Sequence, residues 1–220
     1  MTSRPMDGWI EKVPEGTAAR VRGLLAGRRV VVRVARPRRT KLGDHRPPGR
    51  GHAAHRISVN EDLNPYAFLT TLLHEIAHLA TWERLRHRVR RYPPHGREWK
   101  EEFGAILEPF VDEALLPPDI AGALAAFMRN PAAASCSDRG LVLALAKYDR
   151  PEPERRRLED LPAGSLFRVD TGRVFRLGPR LRSRYRCFEL PGGEEYRVHG
   201  LSCVVAIPVG GAAKYRTLPP

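Results

Sequence analysis

The sequence predicts an α+β fold, in which one domain of helices and short strands is followed by a small all-β module. Three observations support this prediction. An apolar segment with helical spacing runs from Asn64 to about Arg84, after β-branched segments near residues 30 and 57. A charged, proline-containing segment at 148–157 interrupts the pattern. Short alternating segments separated by turns then occupy residues 158–210. The predicted organisation is a domain at 1–147, a linker at 148–157 and a module at 158–210.

Composition narrows the class of protein and its partners. The chain has 220 residues, a net charge of +13 and a pI near 10.5. So large a basic excess predicts a polyanionic partner, with DNA the first candidate, although solvated arginines alone would give the same count. Cys136, Cys187 and Cys203 form no C-x-x-C pair, which is typical of a reducing compartment. With no signal peptide or membrane span in view, we expect a cytoplasmic protein.

The first elements are predicted to be a helix over 7–26, with Pro14 at its start or at a break, and a strand over 30–34. Residues 36–56 are basic and rich in turn residues, so we expect a hairpin or an irregular strand pair ahead of a strand over 55–59. Three histidines in this region, His45, His52 and His55, have no regular spacing. A second metal site could be imagined there, but we expect loop or strand-surface histidines.

A His-Glu-x-x-His motif lies inside the apolar helix, whose start is predicted at Asn64 as N-cap and Pro65 as first residue. His74 and His78 are four residues apart and so share one helix face. This is the zincin arrangement, with two zinc ligands and Glu75 as general base. Two histidines and a carboxylate are costly to bury without partners, and one metal ion satisfies all three.

A catalytic zinc ion takes three protein ligands, and four residues compete for the third position. A second helix is predicted from near Gly96, and His95 stands at its start, 17 residues after His78. The alternatives are His87, Glu98 and Glu101. Glu98 would give a chemically acceptable set of two histidines and one glutamate.

Four segments together resemble one known family: Arg38-Arg-Thr-Lys-Leu-Gly43, Ile57-Ser-Val-Asn60, Leu72-Leu-His-Glu-Ile-Ala-His78 and His95-Gly-Arg-Glu-Trp99. They resemble the SprT-like zinc metallopeptidases, which are related to the Spartan proteases that degrade DNA–protein crosslinks. The resemblance covers residues 28 to 110 and implies a zincin-like core, a small sheet packed on helices. It implies one Zn²⁺ per chain held by His74, His78 and His95, with Glu75 activating a zinc-bound water.

The C-terminal part departs from that family, in which a four-cysteine zinc ribbon is common. After two short apolar helices near 121–127 and 141–146, five strands are predicted within 165–207, with turns at 170–172 and 191–193. We expect a small sheet or SH3-sized barrel in place of the ribbon. The cysteines are too scattered for a ribbon, and a second zinc held by all three with His199 is the less favoured alternative.

Positively charged segments are the candidates for nucleic-acid contact. In the first domain they are Arg38, Arg39, Lys41, Arg88, Arg90 and Arg91. In the module, arginines alternate with Phe167, Phe175, Tyr185 and Tyr196, a pattern suited to backbone contact and base stacking. The alternative is a basic solvated sheet with its aromatics in the core.

The leading hypothesis is a zinc-dependent endopeptidase that acts on DNA-associated proteins, as in the repair of DNA–protein crosslinks. A second hypothesis is a nucleic-acid- or transcription-associated binding protein with a structural or vestigial zinc site. Glu75 favours the first, because a structural site needs no base and is usually closed by a fourth ligand. A hydrolase of non-peptide amides fits the segment at His95 less well.

Overall fold

The computed structural model describes residues 8–38, 40–87, 92–112, 115–129 and 138–208. Within those residues the fold is α+β, with five α-helices and two β-sheets. The chain divides into two compact units, residues 1–150 and 151–220. The end of the predicted linker belongs to the second unit, because Arg155–Arg157 forms a strand there. No described helix is long and apolar enough to cross a membrane.

The sheet of the first unit has three strands, β1 (Val30–Ala35), β2 (Gly43–Arg46) and β3 (His55–Asn60). β3 is central, parallel to β1 and antiparallel to β2. In its described residues the basic segment therefore supplies one strand that pairs with β3 itself, and not a separate strand pair ahead of it. The helix predicted over 7–26 is confirmed in part, because the break expected near Pro14 divides it. A 3-10 turn (Ile10–Lys12) and helix α1 (Ala18–Leu25) stand there, separated by Pro14 and by Gly16, whose φ is +81°.

The central helix α2 (Pro65–Leu85) begins where it was predicted. The Asn64 side chain accepts hydrogen bonds from the backbone N–H groups of Tyr66 and Ala67, at 3.1 and 2.9 Å, which caps the helix. Its apolar residues are buried among the sheet and the remaining helices of the unit. Those helices are α3 (Arg97–Asp112), α4 (Pro118–Arg129) and α5 (Arg139–Ala146).

The second unit is a six-stranded antiparallel sheet in the order β4-β9-β5-β6-β7-β8. Its strands are β4 (Arg155–Arg157), β5 (Leu166–Arg168), β6 (Val174–Leu181), β7 (Arg184–Leu190), β8 (Glu195–His199) and β9 (Cys203–Ile207). Phe167 and Phe175 lie in its core, with Tyr185 and Tyr196 packed against them. The prediction that Phe167 and Phe175 are free to stack on bases is therefore wrong, because both rings are needed to fill the core.

Candidate metal centre

Three histidines meet at one point of the first unit. Nε2 of His74 lies 3.1 Å from Nε2 of His78 and 3.2 Å from Nε2 of His95. A tetrahedral zinc ion with Zn–N distances of about 2.0–2.1 Å places its ligand atoms about 3.3 Å apart. The observed spacing matches that requirement, so these residues, called the metal triad below, could hold a metal ion.

The local sequence explains the convergence of the metal triad. His74 and His78 are adjacent on one face of α2, and His95 stands in the turn that precedes α3. Trp99, in the first turn of α3, is fully buried against all three imidazoles, with ring centroids 4.7, 5.4 and 4.7 Å away. Arg84 of α2 forms ion pairs with Glu101 and Glu102 of α3. Packing and charge together fix α3 against the metal-binding face of α2.

The competitors for the third ligand position lie elsewhere. His87 is exposed, Glu98 forms an ion pair with Arg97, and Glu101 forms ion pairs with Arg84 and Arg97. In the described part of the chain, the metal triad is the only group of three or more histidines, cysteines or acidic residues that could hold a metal. The geometry thus agrees with the ligand set that the family resemblance implies.

The metal triad is held in the neutral, metal-binding protonation state. Burial, together with a smaller effect of the neighbouring imidazoles, lowers the pKa of His74 to about 3 and that of His78 to about 4. The pKa of His95 is also lowered by burial. Neutral imidazole is the form that coordinates a metal, so no proton has to be displaced from these rings at neutral pH.

Glu75 lies beside the metal triad and is only 6% exposed. Burial, with a smaller effect of Asp44, raises the pKa of its carboxyl group to about 8. Arg38, Lys41 and a hydrogen bond from the backbone N–H of His45 act in the opposite direction. A carboxylate with a raised pKa is a stronger base than an exposed glutamate, which suits proton abstraction near neutral pH.

Strand β2 packs against the carboxyl group of Glu75, a contact that was not predicted from the sequence. The backbone N–H of Asn60 donates to the carbonyl of Leu42, which sets the phase of the β2–β3 ladder. The backbone groups of Gly43 and His45 therefore point away from β3, and His45 N–H donates to Glu75. A Cβ atom added at Gly43 would lie 2.5 Å from Oε1 of Glu75. Only glycine allows so close an approach.

The histidines of the basic segment behave differently from the prediction. Nε2 of His45 and Nδ1 of His55 are 2.9 Å apart, and we call these residues the His45–His55 pair. His55 is 4% exposed, so its assignment to a loop or strand surface is wrong. Its Nε2 faces Oε1 of Glu83 at 3.6 Å, and Oε2 of Glu83 accepts a hydrogen bond from Arg28. Only His52 stays in a loop, where it is paired with Gly49.

The candidates for nucleic-acid contact in this unit are only partly described. The guanidinium of Arg38 donates to Asn60 and Ser58, and Lys41 forms an ion pair with Asp44 at 2.7 Å. These bonds tie the Arg38 side chain to β3. Four other candidates lie outside the described residues: Arg39, Arg88, Arg90 and Arg91.

The cysteines that are described do not converge. Cys187 is fully buried in the core of the second unit. Cys203 is exposed on β9 and precedes the core residue Val204, so its side chain points to the other face of the sheet. Cys136 lies outside the described residues.

Comparisons with protein-family models, with curated proteins and with solved structures gave no match to this chain.

Proposed function

We propose that this protein is a cytoplasmic zinc-dependent endopeptidase of the SprT-like kind, with a zincin-like first unit, that acts on DNA-associated proteins. One observation carries the proposal: the metal triad presents three neutral imidazoles at zinc spacing, with a buried glutamate beside them. Three protein ligands leave one position of a tetrahedral ion open, which is typical of catalytic rather than structural zinc sites.

Zinc is the metal that fits the donor set best. Imidazole nitrogen suits a borderline metal ion, and three histidines are a known ligand set of catalytic zinc. When bound, the ion supplies Lewis-acid chemistry: it polarises a carbonyl group and lowers the pKa of water. His74, His78 and His95 would hold it.

The chain's own residues supply the proton transfer and part of the substrate site. Glu75 accepts a proton from the attacking water and delivers it to the leaving amine. Its raised pKa serves both steps, because the carboxylate must take the proton and then release it. His45 N–H and Gly43 fix the position of the carboxylate.

Two surfaces beside the site offer room for a polypeptide. In the described residues β2 is an edge strand, paired only with β3, so its outward backbone groups other than His45 N–H could pair with an extended peptide next to Glu75. A cavity of about 510 Å³ opens at His95, bordered by Gly96, Arg97, Lys100, Glu101 and Met128. The net charge of +13 favours substrates that are already bound to a polyanion.

The test replaces the base and keeps the ligands. Glu75→Gln should keep about one zinc per chain, and its cleavage of a DNA-bound protein should fall at least about 100-fold, the usual contribution of general acid–base catalysis. Glu108→Gln, an exposed glutamate on α3, is the matched control and should cleave normally. Full turnover by Glu75→Gln would overturn the mechanism. Wild-type protein that binds zinc but cleaves no DNA-bound protein would favour the binding-protein hypothesis.

A further inference from the structure

The outer surface of the second unit carries an ordered set of arginines. Side chains alternate across each strand, so the residues next to the core-facing Phe167, Phe175 and Cys187 point outward. Register extends this face across all six strands, because residues that pair across strands share a face. We call the following set the outer arginine face: Arg155, Arg157, Arg168, Arg176, Arg184, Arg186 and Arg197, with Phe188 among them.

Charge on this face is segregated from the rest of the module. Its seven arginines are accompanied by one acidic residue, Glu195, which forms an ion pair with Arg186 at 3.2 Å. In residues 151–208 outside the face, four arginines are outnumbered by seven acidic residues. These arginines are Arg156, Arg173, Arg180 and Arg182; the acids are Glu152, Glu154, Glu159, Asp160, Asp170, Glu189 and Glu194. A general excess of arginine would not separate the charges in this way.

Most of these arginines have no acidic partner within the described part of the chain. Arg168, Arg176, Arg184 and Arg197 are exposed, whereas Arg155 on the edge strand of the face forms an ion pair with Asp170, and Arg173 outside the face forms one with Glu189. Arg176 instead lies over the ring of Phe188, 5.9 Å from its centroid. The face therefore offers unpaired guanidinium groups around one half-buried aromatic ring.

Nucleic acid fits this surface better than a membrane does. Membrane-surface binding requires large apolar side chains that insert between lipids, and Leu42 of the first unit is the only exposed large hydrophobic residue among those described. A face several strands wide does not enter the major groove of B-DNA, which admits a helix or a two-stranded ribbon. Single strands, by contrast, bind across basic sheet surfaces and stack bases on aromatic rings.

We propose that the outer arginine face binds the phosphate backbone of single-stranded nucleic acid, with one base stacked at Phe188. Backbone contact predominates, since one ring among seven arginines gives little means of reading sequence. The inference deepens the proposed function, because it identifies the module as the part that binds the nucleic acid on which protein substrates are held. Nucleic-acid binding by this face does not itself depend on proteolysis.

The experiment measures binding of the full-length chain to a fluorescent single-stranded oligodeoxynucleotide by anisotropy over a range of salt concentrations. The double variant Arg176→Gln, Arg197→Gln should bind roughly tenfold more weakly. The slope of log K against log salt should be shallower by about 1.4, or about 0.7 for each lost phosphate contact. The matched control Arg156→Gln, Arg182→Gln removes the same charge from exposed positions outside the face and should retain affinity and slope.

Equal losses in the two double variants would overturn the proposal, because net charge and not the face would then determine affinity. Tighter binding to duplex DNA or to phosphatidylserine vesicles than to the single strand would also overturn it. Unchanged thermal unfolding midpoints of both variants exclude misfolding as the cause of a loss. A protein that binds the single strand through this face but cleaves nothing would refute the proposed protease and leave this inference intact.

Discussion

Two histidine clusters in the first unit look alike in their shortest distances but differ in chemistry. In the metal triad, Nε2 of His74 faces two other imidazole nitrogens, at 3.1 and 3.2 Å. In the His45–His55 pair, one nitrogen faces one other at 2.9 Å. Burial is the largest cause of a lowered pKa for the histidines of both clusters. All are therefore neutral at pH 7, and protonation does not distinguish the clusters.

The number of partners at each nitrogen does distinguish them. A ring nitrogen of neutral imidazole carries either one hydrogen or one lone pair, so it cannot form full hydrogen bonds to two other nitrogens. Without a metal, Nε2 of His74 would have to form hydrogen bonds to both of the other imidazole nitrogens. One cation, by contrast, can bind the lone pairs of all three nitrogens. In the His45–His55 pair, Glu83 favours the tautomer of His55 with hydrogen on Nε2, which leaves Nδ1 to accept from His45. A short contact between histidines therefore indicates a metal only when donors and acceptors cannot be matched.

The largest expected difference between the clusters is in zinc affinity. His95→Ala removes a ligand and should weaken zinc binding by more than about 100-fold, since even partners outside the ligand set contribute about 10- to 100-fold. His55→Ala removes no ligand and should leave the zinc affinity unchanged or lower it by no more than about 100-fold. Competition against a chromophoric chelator measures both constants. Comparable losses in the two variants would show that the clusters form one metal-dependent unit.

The next effect concerns β2, which connects the clusters through Gly43 and His45. Gly43→Ala places a methyl group against Glu75, and misplacing a catalytic group by about 1 Å can lower turnover about 100-fold. Zinc content should not change. Gly104→Ala in α3, where an added Cβ meets no atom within 4 Å, is the control and should keep activity. Normal turnover by Gly43→Ala would mean that Glu75 tolerates displacement or is not the base.

The smallest effect tests the His45–His55 pair as a structural hydrogen bond. Removing one partner of a buried hydrogen bond costs about 1–3 kcal/mol, because the other is left unsatisfied. His45→Leu and His55→Leu should each lower the free energy of unfolding, and the double variant should lose less than the sum. Urea unfolding of the two single variants and the double variant measures this coupling. Strict additivity would show that the two rings do not interact.

Local chemistry allowed the central helix to be predicted closely. Asn64 and Pro65 specify the start of α2 within a few residues, and the motif then fixes the faces of His74, His78 and Glu75. The place of His95 could not be derived from spacing alone. It depends on the packing of Trp99 and on the ion pairs between α2 and α3, which join residues distant in the chain.

Two features that were not predicted, the burial of His55 and the close approach at Gly43, are nevertheless indicated by the sequence. His55 alternates with Ile57 and Val59, both buried, so the period of the strand already placed it on the inward face. Gly43 lies in a short strand, where glycine often marks a close approach of another group. That the group is Glu75 follows only from the ladder phase and the packing of β2 on α2, both of which are tertiary facts.

Diffraction from crystals of the zinc-loaded protein, recorded at the zinc absorption edge, would locate the bound ion. We expect one anomalous peak about 2.0–2.1 Å from Nε2 of His74, His78 and His95, the usual Zn–N distance. No peak is expected at the His45–His55 pair. A zinc ion held by His45 and His55, or one bound at α2 without His95, would refute the assignment of the metal triad.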